Sequence, residues 1–232
     1  MGASAFAHKG GVHASAAARL PEAYEHVQPA SVGNYARVVV SELAGRASLT
    51  MKAAELGIDL STDQEEVATA LDAIKELEYR GYSFEAADGS LSVMLKKRLG
   101  THEPAFRLES FRVIAEKRED GRVATEATIK VHVGGQRFIA TAEGNGPVNA
   151  LDKAVRAAIG RFYPRLDRIS LEDYKVRVLD ETRGTGAVTR VLIESTDGVK
   201  SWGTVGVSEN IIEASWEALV DSIDYGLMSE GD

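Results

Sequence analysis

Between residues 106 and 227 the apolar positions switch between two periods. Ala127, Ile129, Val131 and Val133 alternate with Glu126, Thr128, Lys130 and His132, which predicts a strand with one buried face. Upstream, Phe111, Val113 and Ala115 alternate with Arg112 and Glu116, with Ile114 interrupting the pattern, and Glu119-Asp120-Gly121 marks the turn between the two strands. Gly134-Gly135 signals a hairpin, and Phe138, Ala140 and Ala142 carry the returning strand. The period then lengthens. Leu151, Ala154, Val155, Ala158 and Ile159 share one helical face, and Gly146-Pro147 opens that helix, since proline suits the first helical position.

The same order recurs downstream. Tyr174, Val176 and Val178 predict a strand, Val191 and Ile193 a second before Asp197-Gly198, and Trp202, Thr204 and Val205 a third. A helix is expected from Ser208, with Ile212, Trp216, Leu219, Val220, Ile223 and Leu227 on its apolar face. Ala150-Leu151, Ala154 and Ile159 match Ala214-Ser215, Ala218 and Ile223 in placement, so the region reads as an internal duplication of a strand–strand–strand–helix unit. Two such units are expected to pair about a pseudo-twofold axis, sheets inside and helices outside. Amides at the helix starts would then lie near the axis, where they can hold a carboxylate.

Residues 49–104 read as a helical linker subdomain. Thr62 and Glu65 form a capping box ahead of a stripe of Val67, Ala70, Leu71, Ile74 and Leu77, which Gly81 ends. A shorter helix is expected over Ser90–Arg98, burying Leu91, Met94 and Leu95. Lys96-Lys97-Arg98 reads as its solvated last turn, favoured by the helix dipole. Gly100 and Pro104 mark the next boundary. Residues 1–48, rich in Gly, Ala and His, show little periodicity. The predicted class is α+β, divided 1–48, 49–104 and 105–232.

Of the 232 residues, 44% are hydrophobic and 27% charged, ordinary for a soluble globular protein. No run approaches the ~20 apolar residues of a membrane span, and the first residues do not read as a secretory signal. The absence of cysteine rules out disulfides, thiolate metal sites and a Cys nucleophile. It agrees with a cytoplasmic location. The net charge of −8 argues against nucleic acid or an anionic membrane as partner.

Chemistry-bearing residues gather in two places. In His8-Lys9-Gly10-Gly11-Val12-His13, two histidines flank glycines without the further ligands a metal site needs; a loop histidine there can instead act as a general acid or base. Tyr24 follows about one short helix later. Gly144-Asn145-Gly146-Pro147 reads as a helix-start turn whose glycines permit close backbone approach and whose amides face an anion's position. No phosphate loop, dinucleotide fingerprint, nucleophile elbow or kinase signature is present.

At these residues the sequence resembles a known family. Ser4–Ala16, Tyr24-Glu25-His26-Val27, Val32-Gly33-Asn34 and Ser41–Arg46 are similar to the segment after the catalytic barrel in citramalate, 2-isopropylmalate and homocitrate synthases. Glu143–Asp152, Asp173–Leu179 and Ser201–Asn210 extend the similarity through the duplicated region. His-Lys-Gly-Gly and the Trp202–Trp216 stretch favour the citramalate branch. The resemblance implies acyl transfer from acetyl-CoA to a 2-oxo acid on a divalent metal in a TIM barrel, giving a 2-hydroxy diacid (citramalate from pyruvate, in isoleucine biosynthesis). The alternatives are a 2-isopropylmalate synthase part (leucine biosynthesis) and a freestanding amino-acid-binding or dimerisation module. It also implies that the helical subdomain lends a His and a Tyr to the barrel, here His13 and Tyr24, with Tyr35 as the fallback. The duplicated domain, of the LeuA type, is implied to be homodimeric and to bind a branched-chain amino acid effector, isoleucine ahead of leucine. Gly144, Asn145, Gly146, Pro147 and Val148, with Tyr174, are the effector residues so implied. The family's metal-binding His-x-His and Arg-Asp motifs have no counterpart in this sequence, so no metal or other cofactor is assigned to it. The expectation is a fragment, truncation or split-enzyme half, acting with a barrel in cis or in trans and inactive alone.

Overall fold

A computed structural model describes residues 7–8, 37–38, 45–60 and 64–228. His13, Tyr24, Tyr35 and the capping residue Thr62 lie outside the described residues. The chain divides into compact units between Gly100 and Thr101.

In the first unit, β1 (Ala7–His8) pairs in parallel with β2 (Arg37–Val38). Three helices follow: α1 (Arg46–Glu55), α2 (Gln64–Tyr79) and α3 (Asp88–Arg98). The α2 stripe is buried at Val67, Ala70, Leu71 and Ile74, and the helix ends ahead of Gly81, whose φ of 109° suits only glycine. α3 begins two residues before the expected Ser90 and buries Leu91, Val93 and Leu95. Lys96, Lys97 and Arg98 fill its last turn. Lys52 is buried, and its ammonium is held by Asp88 at 2.9 Å and Glu55 at 3.2 Å. Two carboxylates thus offset the desolvation of one buried cation while tying α1 to α3.

The second unit contains the duplication. β3 (Arg107–Lys117), β4 (Val123–Val133) and β5 (Gln136–Gly144) form one antiparallel sheet in that order. α4 (Pro147–Ile159) follows. β6 (Ser170–Val178), β7 (Thr189–Thr196) and β8 (Ser201–Ser208) form the second sheet, followed by α5 (Ile211–Met228). The predicted face of β4 is buried at Ala127, Ile129, Val131 and Val133. Gly134 and Gly135 close the hairpin at φ 56° and 74°, the left-handed pair that a tight two-residue hairpin requires.

Each first strand carries an irregularity that alternation alone does not reveal. β3 shifts register between Leu108 and Ser110, and β6 shifts between Leu171 and Asp173. The bulge changes which parity faces inward, so Phe106 and Leu108 ahead of it and Phe111 and Val113 after it all pack into one core. Ile114, the residue that broke the pattern, lies on the outer face at 46% exposure. α5 starts at Ile211 rather than Ser208, because Asn210 caps it: its side chain accepts the Ile212 amide at 2.9 Å.

The layering is the reverse of the expected one. α4 packs on β4 and β5, α5 packs on β7 and β8, and the two helices touch each other. The helices are therefore central, and the outer sheet faces carry exposed residues such as Ile114 and Ile139. An apolar stripe predicts one buried face, yet α5 is also buried at Ala214, Ser215, Ala218, Ser222, Asp224 and Gly226, because a sheet covers one side and α4 another. Both helices meet their last strand closely. A Cβ on Gly144 would lie 2.4 Å from the Ala150 nitrogen, and one on Gly206 would lie 2.0 Å from the Ala214 carbonyl oxygen.

On the outer face of the first sheet, Arg137 grips Glu109 through two bonds of 2.6 and 2.8 Å, and His132 approaches it at 3.2 Å. The Arg137 hydrogen bonds, with its charge and His132 assisting, hold the Glu109 carboxyl at about 2. A depressed carboxylate stabilises the fold above the unfolded-state value and loses that contribution as pH falls towards 2. Arg137→Gln is expected to return the Glu109 titration towards the ordinary carboxylate range in an NMR pH series. The stability difference from wild type should be present at neutral pH and vanish near pH 2.

Candidate ligand-binding cleft

A cavity of ≈ 720 Å³ opens where the first turn of α4 meets β6 and the start of α5. Gly146 precedes α4 with no side-chain cap, and Pro147 is its first residue. The first intrahelical bond runs from the Ala150 amide to the Gly146 carbonyl at 2.9 Å. The amides of Val148 and Asn149 therefore have no intrahelical acceptor and carry the positive end of the helix dipole. The turn is set by the Asn149 side chain, which accepts the Asn145 amide at 3.2 Å.

Asn145, Gly146, Pro147, Val148 and Tyr174, five of the residues expected from the sequence, line this cavity together. Gly144, the sixth, sits behind the lining, where its bare Cα lets β5 close on α4. The Tyr174 hydroxyl is 2.7 Å from Ser215 Oγ, and Ser215 in turn donates to the Ile211 carbonyl at 2.6 Å. Since a serine has one hydroxyl proton, Tyr174 is the donor in the first bond. That chain fixes the tyrosine ring against the start of α5.

Other residues complete the lining beyond those expected. Asp152 and Arg156 form an i,i+4 pair at 2.8 Å, and Arg156 also donates to the Leu166 carbonyl at 2.8 Å. Their spacing on α4 was a readable signal. Ile169, Leu171, Ile211 and Ile212 supply the apolar wall, and only the tertiary fold brings these four together. The cleft thus offers an open helix start and a carboxylate beside apolar side chains, a composition suited to a small molecule with an anionic end, a cationic group and an apolar body. Among the described residues no cluster of three or more His, Asp or Glu is placed to hold a metal ion, and no helix is long and apolar enough to cross a membrane.

The duplicated βββα module has the architecture of a regulatory domain of the α+β class. The sequence profile of the LeuA allosteric (dimerisation) domain matches residues 85–227, and that of the homocitrate synthase post-HMGL domain-like family matches residues 1–81. The chain belongs to the LeuA allosteric (dimerisation) domain family. It is 54% identical over 228 residues to an (R)-citramalate synthase of Geobacter sulfurreducens, covering 98% of this chain and 43% of that protein. Over 232 residues it is 50% identical to the (R)-citramalate synthase of Streptomyces coelicolor, covering 100% of this chain and again 43% of the relative. A 2-isopropylmalate synthase of Methylorubrum populi is 31% identical over 225 residues, covering 97% of this chain and 40% of that protein. The chain therefore spans less than half the length of these relatives.

Proposed function

We propose that this chain is the C-terminal accessory and feedback-regulatory part of an acetyl-CoA-dependent 2-oxo acid acyltransferase, a citramalate synthase that joins acetyl-CoA to pyruvate. In this reading the condensation takes place in a metal-holding barrel, within the portion of the relatives that this chain does not span. His13 and Tyr24 are lent to that site, with Tyr35 as the alternative tyrosine. The duplicated domain forms a homodimer and takes a branched-chain amino acid, isoleucine ahead of leucine. The citramalate synthases at 50–54% identity favour this branch over the 2-isopropylmalate synthase at 31%.

The observation that carries the reading is the open start of α4 beside Asp152 and an apolar wall. An amino acid would set its carboxylate on the Val148 and Asn149 amides, where dipole and free donors coincide. Its ammonium would face Asp152, and its side chain would displace water from Ile169, Leu171, Ile211 and Ile212. Titration calorimetry of the full chain with isoleucine, leucine and valine is expected to show binding, tightest for isoleucine. Asp152→Asn, which keeps the shape but removes the charge facing the ammonium, should weaken it about tenfold or more. Absence of heat from all three amino acids would remove the effector reading.

A further inference from the structure

The two βββα units correspond position by position. The bulge at Leu108-Glu109-Ser110 recurs at Leu171-Glu172-Asp173, which pairs Phe106 with Ile169 and Phe111 with Tyr174. The first intrahelical bonds, Ala150 to Gly146 and Ala214 to Asn210, are both 2.9 Å. They pair Gly146 with Asn210, Asp152 with Trp216 and Arg156 with Val220. The duplication thus builds two equivalent places between a bulged first strand and the opposite unit's helix. One is lined by Ile169, Tyr174, Asp152 and Arg156 and encloses open space. In the other, the Trp216 indole lies 6.0 Å from the Phe106 ring and 5.4 Å from the Phe111 ring, centroid to centroid, and is 5% exposed.

The helix starts differ in the same sense. Asn210 satisfies the Ile212 amide with its own side chain, whereas Gly146 has no side chain to offer Val148. Two separate differences, one at the cap and one six residues on, therefore close one place and open the other.

We infer that the module contains two pseudo-equivalent clefts and that Trp216 is the built-in occupant of the second, so that only the α4 cleft takes a ligand. The indole stands where a ligand's apolar body sits in the first cleft, and Asn210 stands in for its anionic end. One ligand is bound per chain, and the asymmetry between Asp152 and Trp216 decides which cleft receives it. The identity of the ligand rests on the proposed function; the two-cleft arrangement does not.

Two arms on the full chain test the inference. In the first, Trp216→Gly leaves an apolar hole, which aromatic molecules enter when its walls hold. Indole added in solution should raise the thermal midpoint of this variant by several degrees and leave wild type unmoved. A folded variant indifferent to indole would overturn the inference. The second arm decides the matter if that variant does not fold. Asp152→Trp combined with Arg156→Val copies the closed cleft into the open one. Calorimetry with isoleucine should then show at least a tenfold loss of affinity, with the thermal midpoint at or above that of wild type. A lower midpoint, or retained isoleucine binding, would sink the two-cleft idea. Wild type that binds no branched-chain amino acid would instead refute the proposed function, while indole rescue and the double variant's midpoint would still judge the clefts.

Discussion

Trp216→Ala is expected to destabilise the second unit by about 3–5 kcal/mol, the range for removing a buried aromatic side chain. Trp216 is 5% exposed and packs against the rings of Phe106 and Phe111. Phe111 lies on β3 and Phe106 immediately before it, both in the other repeat, so the indole is one of the contacts joining the two halves into a single core. The aromatic pairs add to the area buried. The lost volume cannot be refilled cheaply, because β3 is held in the ladder with β4 along its length. Against a typical domain stability of about 5–15 kcal/mol, the loss should appear in urea unfolding as a large fall in midpoint with little change in slope. A change below about 1 kcal/mol would mean that the rings close over the gap and that the indole is not a central support.

Gly206→Ala is expected to cost at least the ~1–3 kcal/mol typical of overpacking. Its Cβ would fall 2.0 Å from the Ala214 carbonyl oxygen and 2.9 Å from the carbonyl carbon. Those are backbone atoms of α5 and cannot rotate away as a side chain would, so the helix must lift off β8. Lifting it also strains the bonds that seat it, including the one from Thr204 Oγ1 to the Ala218 carbonyl at 2.7 Å. Gly186→Ala is the matched control. A Cβ there meets nothing within 4 Å, and its effect should stay within about 0.5 kcal/mol. Gly144→Ala belongs with Gly206, since its Cβ would meet the Ala150 nitrogen at 2.4 Å. It differs in consequence: the displaced helix turn is the one that lines the cleft, so ligand affinity should fall along with stability. Equal urea midpoints for Gly206→Ala and Gly186→Ala would refute the close-packing argument.

Much of the architecture was determined by the sequence itself. A strand against a helix must alternate, so the buried face of β4 could be read residue by residue, and the paired glycines of its hairpin followed from the positive φ values a tight turn needs. Pro147 marked the first residue of α4 because its missing amide costs nothing there, and the repeated order of elements announced the duplication. The cleft was legible in part: Asn145 to Val148 and Tyr174 line it. His13 and Tyr24, singled out in the sequence and given their roles by the family resemblance, lie outside the described residues.

Other features were decided by the tertiary structure alone. The bulges in β3 and β6 reverse which parity faces inward, and a one-residue insertion leaves no mark on composition or period. That the helices lie between the sheets was not legible, because an apolar stripe says that a face is covered and not by what. Which of the two equivalent places stays open was equally hidden. Asp152 and Trp216 occupy matching positions on two helices of the same fold, and which position leaves a hole depends on what the opposing strand presents to it. Gly144, expected among the effector residues, sits behind the cleft lining, and the neighbour its bare Cα admits is the backbone of α4.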